Sequence, residues 1–196
     1  MALKLIYHPG QTPIDPDEAA GLIPTHLSMQ GHLNEWEAEN IFEAVEWLAS
    51  ARIPEVLTEK FCRQLHSRMF GSTWRWAGTF RTSDKSIGCD WRQVPARLQQ
   101  LLQNVQYWLD HATMPLEEAA VRFHHQLVLV HPFPKGNGRH ARLMTDHLLR
   151  QVGAGRFNWG AGHDLVSSSD TRSRYIDALR AADRGDIHPL LKFCSS

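Results

Sequence analysis

The sequence predicts an all-α fold carrying one short β-hairpin. Apolar residues recur at three- and four-residue spacing over most of 34–196, and Pro and Gly fall at the borders of those stretches. One window, 71–93, breaks the pattern: Gly71, Gly78 and Gly88 flank Trp74, Trp76, Phe80, Ile87 and Trp91, the composition of a hairpin or extended flap.

The elements follow in order. Pro9, Gly10, Pro13, Pro16, Gly21, Pro24 and Gly31 make 1–33 read as an irregular N-terminal arm. Asn34 suits an N-cap, with Glu37 at the capping-box position, and a helix is expected over 35–50 with Ile41, Val45 and Leu48 on its inner face. Pro54 stops it. Thr58 can cap a second helix bearing Phe61, Leu65 and Met69. After the flap, Pro95 opens a helix striped by Leu98, Leu101, Leu102, Val105 and Leu109. The next runs over 116–130 with Ala120, Phe123, Leu127 and Val130 on one face. Another restarts near Gly138 and runs to Gln151, ended by Gly153 and Gly155. Ser169 or Asp170 caps a helix with Tyr175, Leu179 and Ala182, and 187–194 forms a short helical tail.

The 196 residues suit one domain with an appended arm, 34–196 and 1–33. Net charge is zero, so no bulk field draws the chain to nucleic acid or a membrane surface. The charge is uneven: 1–118 holds 10 Lys/Arg against 15 Asp/Glu, 119–196 holds 11 against 6, and no Glu follows Glu118. This describes either two solvated faces or a C-terminal half that holds an anion against an acidic N-terminal half. Cys62, Cys89 and Cys194 are too far apart for a metal-type pair and odd in number for a disulfide framework. No signal-peptide core opens the chain and no window is apolar enough to span a bilayer, so a cytoplasmic location is expected.

The chemistry concentrates in His131-Pro-Phe-Pro-Lys-Gly-Asn-Gly-Arg-His-Ala-Arg142. A helix ends at Val130 and His131 follows it. Pro132 and Pro134 stiffen the turn, and Phe133 between them suits a core anchor. Gly136 and Gly138 allow positive φ and close approach to a ligand. With Asn137 their N–H groups can form an anion nest at the start of the next helix, where the helix dipole also favours negative charge. Arg139 and Arg142 share one helix face and can grip phosphate oxygens in bidentate fashion. His131 stands beside that site and can take a proton near neutral pH. Attack of a hydroxyl on phosphorus is the implied chemistry.

The segment resembles the motif of the Fic family, His-x-Phe-x-Asp/Glu-Gly-Asn-Gly-Arg-x-x-Arg, at His131, Phe133, Gly136, Asn137, Gly138, Arg139 and Arg142. Trp76-Ala-Gly-Thr-Phe-Arg81 is similar to the family's lead into its flap, and Arg174-Tyr175, Gly185-Asp186 and Pro189-Leu190 to its last helices. The segment from Asp15 to Pro24 resembles a subgroup labelled mobile mystery protein B. The resemblance implies an all-α core with a β-hairpin flap and transfer of AMP from ATP to a protein hydroxyl. His131 is then the base, and Gly136, Asn137, Gly138, Arg139 and Arg142 hold the phosphates. It also implies a protein substrate paired with the flap, for which Thr82, Ser83 and Ile87 are the docking candidates. An antitoxin or other regulator is a partner it leaves open, as it does the oligomeric state. Neither a membrane nor direct nucleic-acid binding is expected.

One position departs from the pattern. Lys135 stands where the family's carboxylate binds Mg²⁺, and an ammonium has no lone pair to offer a cation. Either Lys135 puts its own charge on the phosphates and makes transfer metal-independent, or the reaction changes to the phosphoryl transfer of Doc-type relatives, or activity is lost. The role of Mg²⁺ therefore stays open, and no residue is assigned as a metal ligand. Many Fic proteins carry a braking glutamate in a Ser/Thr-x-x-x-Glu-Gly/Asn motif. Glu39-Asn40 fits its end on the candidate inhibitory helix 34–50, with Glu39 expected to pair with Arg142. A metal hydrolase using His124, His125, His131, His140, His147 and Asp146 lacks the right spacing, which leaves His124 and His125 as core or interface residues. A non-catalytic binding module lacks aromatic residues interleaved with its arginines.

Overall fold

The computed structural model describes residues 15–24, 26–27, 30–50, 55–160 and 170–196. Eight α-helices occur among them: α1 (Pro16–Ala19), α2 (Gln30–Ser50), α3 (Glu59–Phe70), α4 (Val94–Asp110), α5 (Leu116–Val130), α6 (Asn137–Gln151), α7 (Asp170–Asp183) and α8 (His188–Ser195). Thr58 caps α3 as expected, its hydroxyl accepting the Phe61 N–H at 3.1 Å. Pro95 sits in the first turn of α4. The expectations at Pro54 and Ser169, and those on the first 14 residues, lie outside the described residues.

α5 is the central helix and packs against α4, α6 and α8. One side of it gives Phe123 and Leu127 to a core shared with Leu98, Leu102 and Val105 of α4, Met144 and Leu148 of α6, and Leu65 and Met69 of α3. Its other side gives Ala120 and Val121 to a smaller core with Tyr175 and Ala178 of α7 and Leu190 and Phe193 of α8. Two-sided burial explains why α5 is so apolar for its length. None of the described helices is long and apolar enough to cross a membrane.

Two expectations need correction. α2 begins at Gln30, so Asn34 is inside the helix rather than its cap. Its buried face is Leu33, Glu37, Asn40, Ala44 and Leu48, while Val45 is exposed. Apolar spacing alone missed this face because two of its five residues are polar. Each is satisfied inside: Asn40 accepts the Thr73 hydroxyl at 3.0 Å, and Glu37 has three partners described below. The second correction is the hairpin. Among the described residues, 71–93 contains turns and bends and a 3-10 turn at Trp91–Gln93, with no paired strands. The extended pairing goes elsewhere: the Ile23 N–H donates to the Thr73 carbonyl and Arg75 to Gly21, both at 2.9 Å, around a single antiparallel bridge between Leu22 and Trp74. The arm is thus tied to the domain through the tryptophan-rich segment. The indole of Trp76 also donates to the Glu18 carbonyl at 2.9 Å.

Histidine burial sets the acid sensitivity of this fold. His66, His124 and His140 are fully buried and His131 nearly so. Burial holds His66 well below its usual pKa and pushes His124 down to about 3 and His131 and His140 down to about 4. The unfolded chain takes up these protons near pH 6.5 while the folded chain does not, so protonation favours unfolding. Stability should be constant above pH 7 and fall below pH 6.5, by roughly 1.4 kcal/mol per pH unit for each such histidine. Urea unfolding at pH 7.5 and 5.5 checks this; equal midpoints would contradict it.

Candidate functional site

The motif loop is fixed before any ligand arrives. His131 ends α5 in a left-handed conformation, φ 50° and ψ 60°, which turns the chain out of the helix. Asn137 then closes the loop on itself: its Oδ1 accepts the Phe133 N–H at 2.9 Å and its Nδ2 donates to the Phe133 carbonyl at 2.7 Å. Phe133 is fully buried, its ring centroid 3.8 Å from that of His66 on α3. The backbone N–H of Gly78 donates to Nδ1 of His66 at 3.0 Å, so the proton of the neutral ring is on Nε2, which donates to the Lys135 carbonyl at 3.0 Å. Gly136 has φ 83°, and a Cβ there would come within 2.5 Å of the Phe70 ring, so only glycine fits.

α6 starts at once, with His140 making the first intrahelical bond back to Gly136. The N–H groups of Asn137, Gly138 and Arg139 therefore have no carbonyl within the helix, the arrangement that receives anions. Gly138 differs from its expected role. It lies in the first turn of α6 without positive φ, and a Cβ would meet only the Tyr175 hydroxyl, 3.8 Å away. The Asn137 side chain likewise is committed to the loop, leaving its backbone for a ligand.

Three cations surround this helix end, and one carboxylate answers two of them. Glu37 of α2 is fully buried. Its Oε1 accepts from Lys135 Nζ at 2.7 Å and from the Trp74 indole at 2.8 Å, and its Oε2 accepts from Arg139 Nη2 at 2.7 Å. Burial pushes its pKa up, but the charges of Arg139 and Lys135 and the two Oε1 hydrogen bonds outweigh that and hold it down to about 2. Glu39, expected to meet Arg142, lies exposed on α2. The two glutamates stand two positions apart, which is enough to put them on different helix faces. Arg142 instead lies against Tyr175 of α7, 5.6 Å from its ring centroid. Burial lowers the pKa of its guanidinium, opposed in part by the hydrogen bond that it donates to the Tyr175 hydroxyl.

This donor set does not fit a protein-held Mg²⁺. Position 135 carries an ammonium, and both oxygens of Glu37 are occupied by cations. Among the described residues no group of three His, Cys, Asp or Glu side chains forms a metal-binding set.

His131 itself is in the unprotonated form that a base requires. Burial, opposed by its bond to Val128 and reinforced by the charges of Arg81 and Lys85, lowers its pKa to about 4. The ring is therefore neutral at pH 7. Nδ1 lies 3.2 Å from the Val128 carbonyl and carries the hydrogen, which places the basic lone pair on Nε2. His124 and His125 are buried as expected: His124 Nε2 meets the Tyr175 hydroxyl at 2.9 Å and His125 Nε2 meets Asp183 at 2.8 Å.

The three docking candidates diverge. Thr82 and Ile87 are exposed. Ser83 is half-buried and donates to Asp15 at 2.8 Å. Beside it Lys85, unforeseen from sequence, pairs with Asp15 and Glu18 of the arm, both at 2.7 Å. Sequence reasoning also missed His66, Glu37 and Arg81 as parts of the site. Glu37 alone left a signal: it is an acidic residue at the inner-face interval from Leu33 and Ala44, with an unexpected cation at position 135.

Residues 56–149 match the model of the Fic/DOC family. The chain is 31% identical over 135 residues to protein adenylyltransferase fic-1 of Caenorhabditis elegans, covering 66% of this chain and 25% of that protein. It is 32% identical over 142 residues to protein adenylyltransferase Fic of Drosophila virilis, covering 70% and 27%. It thus spans about a quarter of the length of these relatives. Among solved structures, BepC of Bartonella tribocorum with bound AMPPNP superposes with a TM-score of 0.70 at 18% identity, over 92% of this chain and 97% of that one. Fic-1 of C. elegans superposes at 0.64 and 24% identity, over 91% and 51%.

Replacing Glu37 leaves two half-buried cations without a counter-charge. Glu37→Gln is expected to cost about 3 kcal/mol or more of stability. Pyrophosphate in excess should then raise the melting temperature of the variant more than that of the wild type; equal shifts would show that the anion does not reach Lys135 and Arg139.

Proposed function

Because the chain belongs to the Fic/DOC family, we propose that it transfers AMP from ATP to a hydroxyl side chain of a protein. The observation that carries this reading is a buried, neutral His131 on the same short loop as the N-terminus of α6, with Lys135, Arg139 and Arg142 around that helix end. The acceptor hydroxyl oxygen attacks the α-phosphorus and its proton passes to Nε2 of His131. The bond from that phosphorus to the bridging oxygen breaks, and pyrophosphate leaves. The N–H groups at the start of α6, with Arg139 and Arg142, stabilise the charge that develops on the phosphates.

Lys135 takes the part that a carboxylate-bound Mg²⁺ plays elsewhere in the family, with one positive charge in place of two. Transfer is slow and independent of added metal on this reading. Glu37 occupies the cations that the phosphates need, so it stands in for an anion and restrains the enzyme. This role replaces the one expected of Glu39.

The test is transfer of α-³²P from ATP to protein, in lysate and on the enzyme itself, with Mg²⁺ and with EDTA. His131→Ala should lose at least about a hundredfold, and labelling should persist in EDTA. Label from the γ position alone would make this a phosphoryl transferase, and none from either would make it a nucleotide binder. Glu37→Gly should raise transfer in the same assay; an unchanged rate in a folded variant would remove Glu37 as a restraint.

A further inference from the structure

Arg81 stands at the base of the flap and is 2% exposed, an unusual setting for a guanidinium. Every nitrogen of that group meets backbone. Nε donates to the carbonyl of His131 at 2.6 Å, Nη1 donates to the carbonyl of Ser83 at 2.9 Å, and Nη2 donates to the carbonyl of Cys89. Its own backbone N–H donates to Pro132 at 2.9 Å. The exposed carboxylate of Asp84 lies 3.6 Å from Nη1. Ser83 and Cys89 bracket residues 84–88 within the flap, so one rigid planar group spans the mouth of that stretch and reaches the residue proposed as base.

We infer that Arg81 is a positioning residue for transfer, joining the two ends of the flap to the backbone of His131 so that base and docked acceptor share one frame. Lysine could not do this, because a single ammonium cannot present three donors in one plane. The inference rests on the proposed transfer reaction for its kinetic consequence, but the coupling itself is a property of the fold.

A second contact supports the joint. Gly88 has φ 113°, and a Cβ on it would lie 2.7 Å from Cβ of His131 and 2.9 Å from Nη2 of Arg81. The flap therefore closes directly over the histidine at a residue with no side chain. Cys89 adds a contact of its own, with Sγ 3.4 Å from the Val130 carbonyl at the end of α5. The left-handed backbone of His131, disfavoured for a residue with a Cβ, is held at its carbonyl by the same guanidinium.

The test uses the full chain with Arg81→Lys, Arg81→Ala and Gly88→Ala. Gly88 is exposed, so Gly88→Ala tests the joint should the Arg81 variants fail to fold. Hydrogen exchange is measured first. In each folded Arg81 variant, exchange should rise together in the flap and in the loop after α5, with α4 unchanged. Loosening of only one of the two, or of neither, would overturn the inference whether or not the protein is an enzyme. In the transfer assay the joint predicts that kcat falls by about a hundredfold while KM for ATP holds. Added guanidinium ion should restore part of the rate of Arg81→Ala. An active wild type with Arg81→Lys and Gly88→Ala within twofold of its kcat would also overturn the inference. A wild type with no His131-dependent transfer would instead sink the proposed reaction, with the exchange result still deciding the joint.

Discussion

Placing one buried carboxylate, Glu37, between two half-buried cations is the constraint around which the site is arranged. Without it Lys135 and Arg139 would repel each other across a few ångströms of low-dielectric protein. With it, α2 is fastened to the motif loop and to α6, and through the Trp74 indole to the segment that pairs with the arm. A buried ion pair adds little net stability when compared with apolar packing, but losing one partner of it is costly. It therefore specifies which face of α2 points inward, although that face is less apolar than its neighbour. An anion that could replace the carboxylate would find a site already shaped for it.

The loop beneath is rigid for a different reason. It contains little that can move: Asn137 closes it from inside, Phe133 is stacked on His66, and His66 is fixed at both ring nitrogens. Such a loop presents its amides without first being ordered, which is the preorganisation that electrostatic stabilisation requires. The same burial that keeps His131 neutral at pH 7, and makes it a weaker base, leaves the domain sensitive to acid, so one physical cause acts on the chemistry and on the pH range.

The helical architecture was legible because it is encoded by local rules. Thr58 capping α3, Pro95 opening α4 and the two-sided apolar face of α5 are each stated within a few residues. The motif from His131 to Arg142 was legible in part: Gly136 takes the positive φ expected of it and Gly138 does not. What escaped was long-range pairing of polar groups. Glu37 lies 98 residues from Lys135 in the chain, and Trp74 lies 37 from Glu37. No periodicity reports such contacts, so apolar spacing finds Leu48 on the inner face of α2 but adds the exposed Val45 and passes over Glu37 and Asn40. The flap failed for a related reason. Its aromatic and glycine content suggested a self-paired hairpin, whereas the backbone partners of Thr73 and Arg75 are in the arm and the flap itself is held by the side chain of Arg81.

The most direct test of this account is a crystal structure of the full chain with a non-hydrolysable ATP analogue. The account predicts phosphate oxygens on the amides of Asn137, Gly138 and Arg139, the α-phosphorus within reach of an acceptor oxygen beside Nε2 of His131, and the Glu37 carboxylate displaced from Arg139. A nucleotide bound with Glu37 still holding both cations, or phosphates seated away from the start of α6, would contradict it.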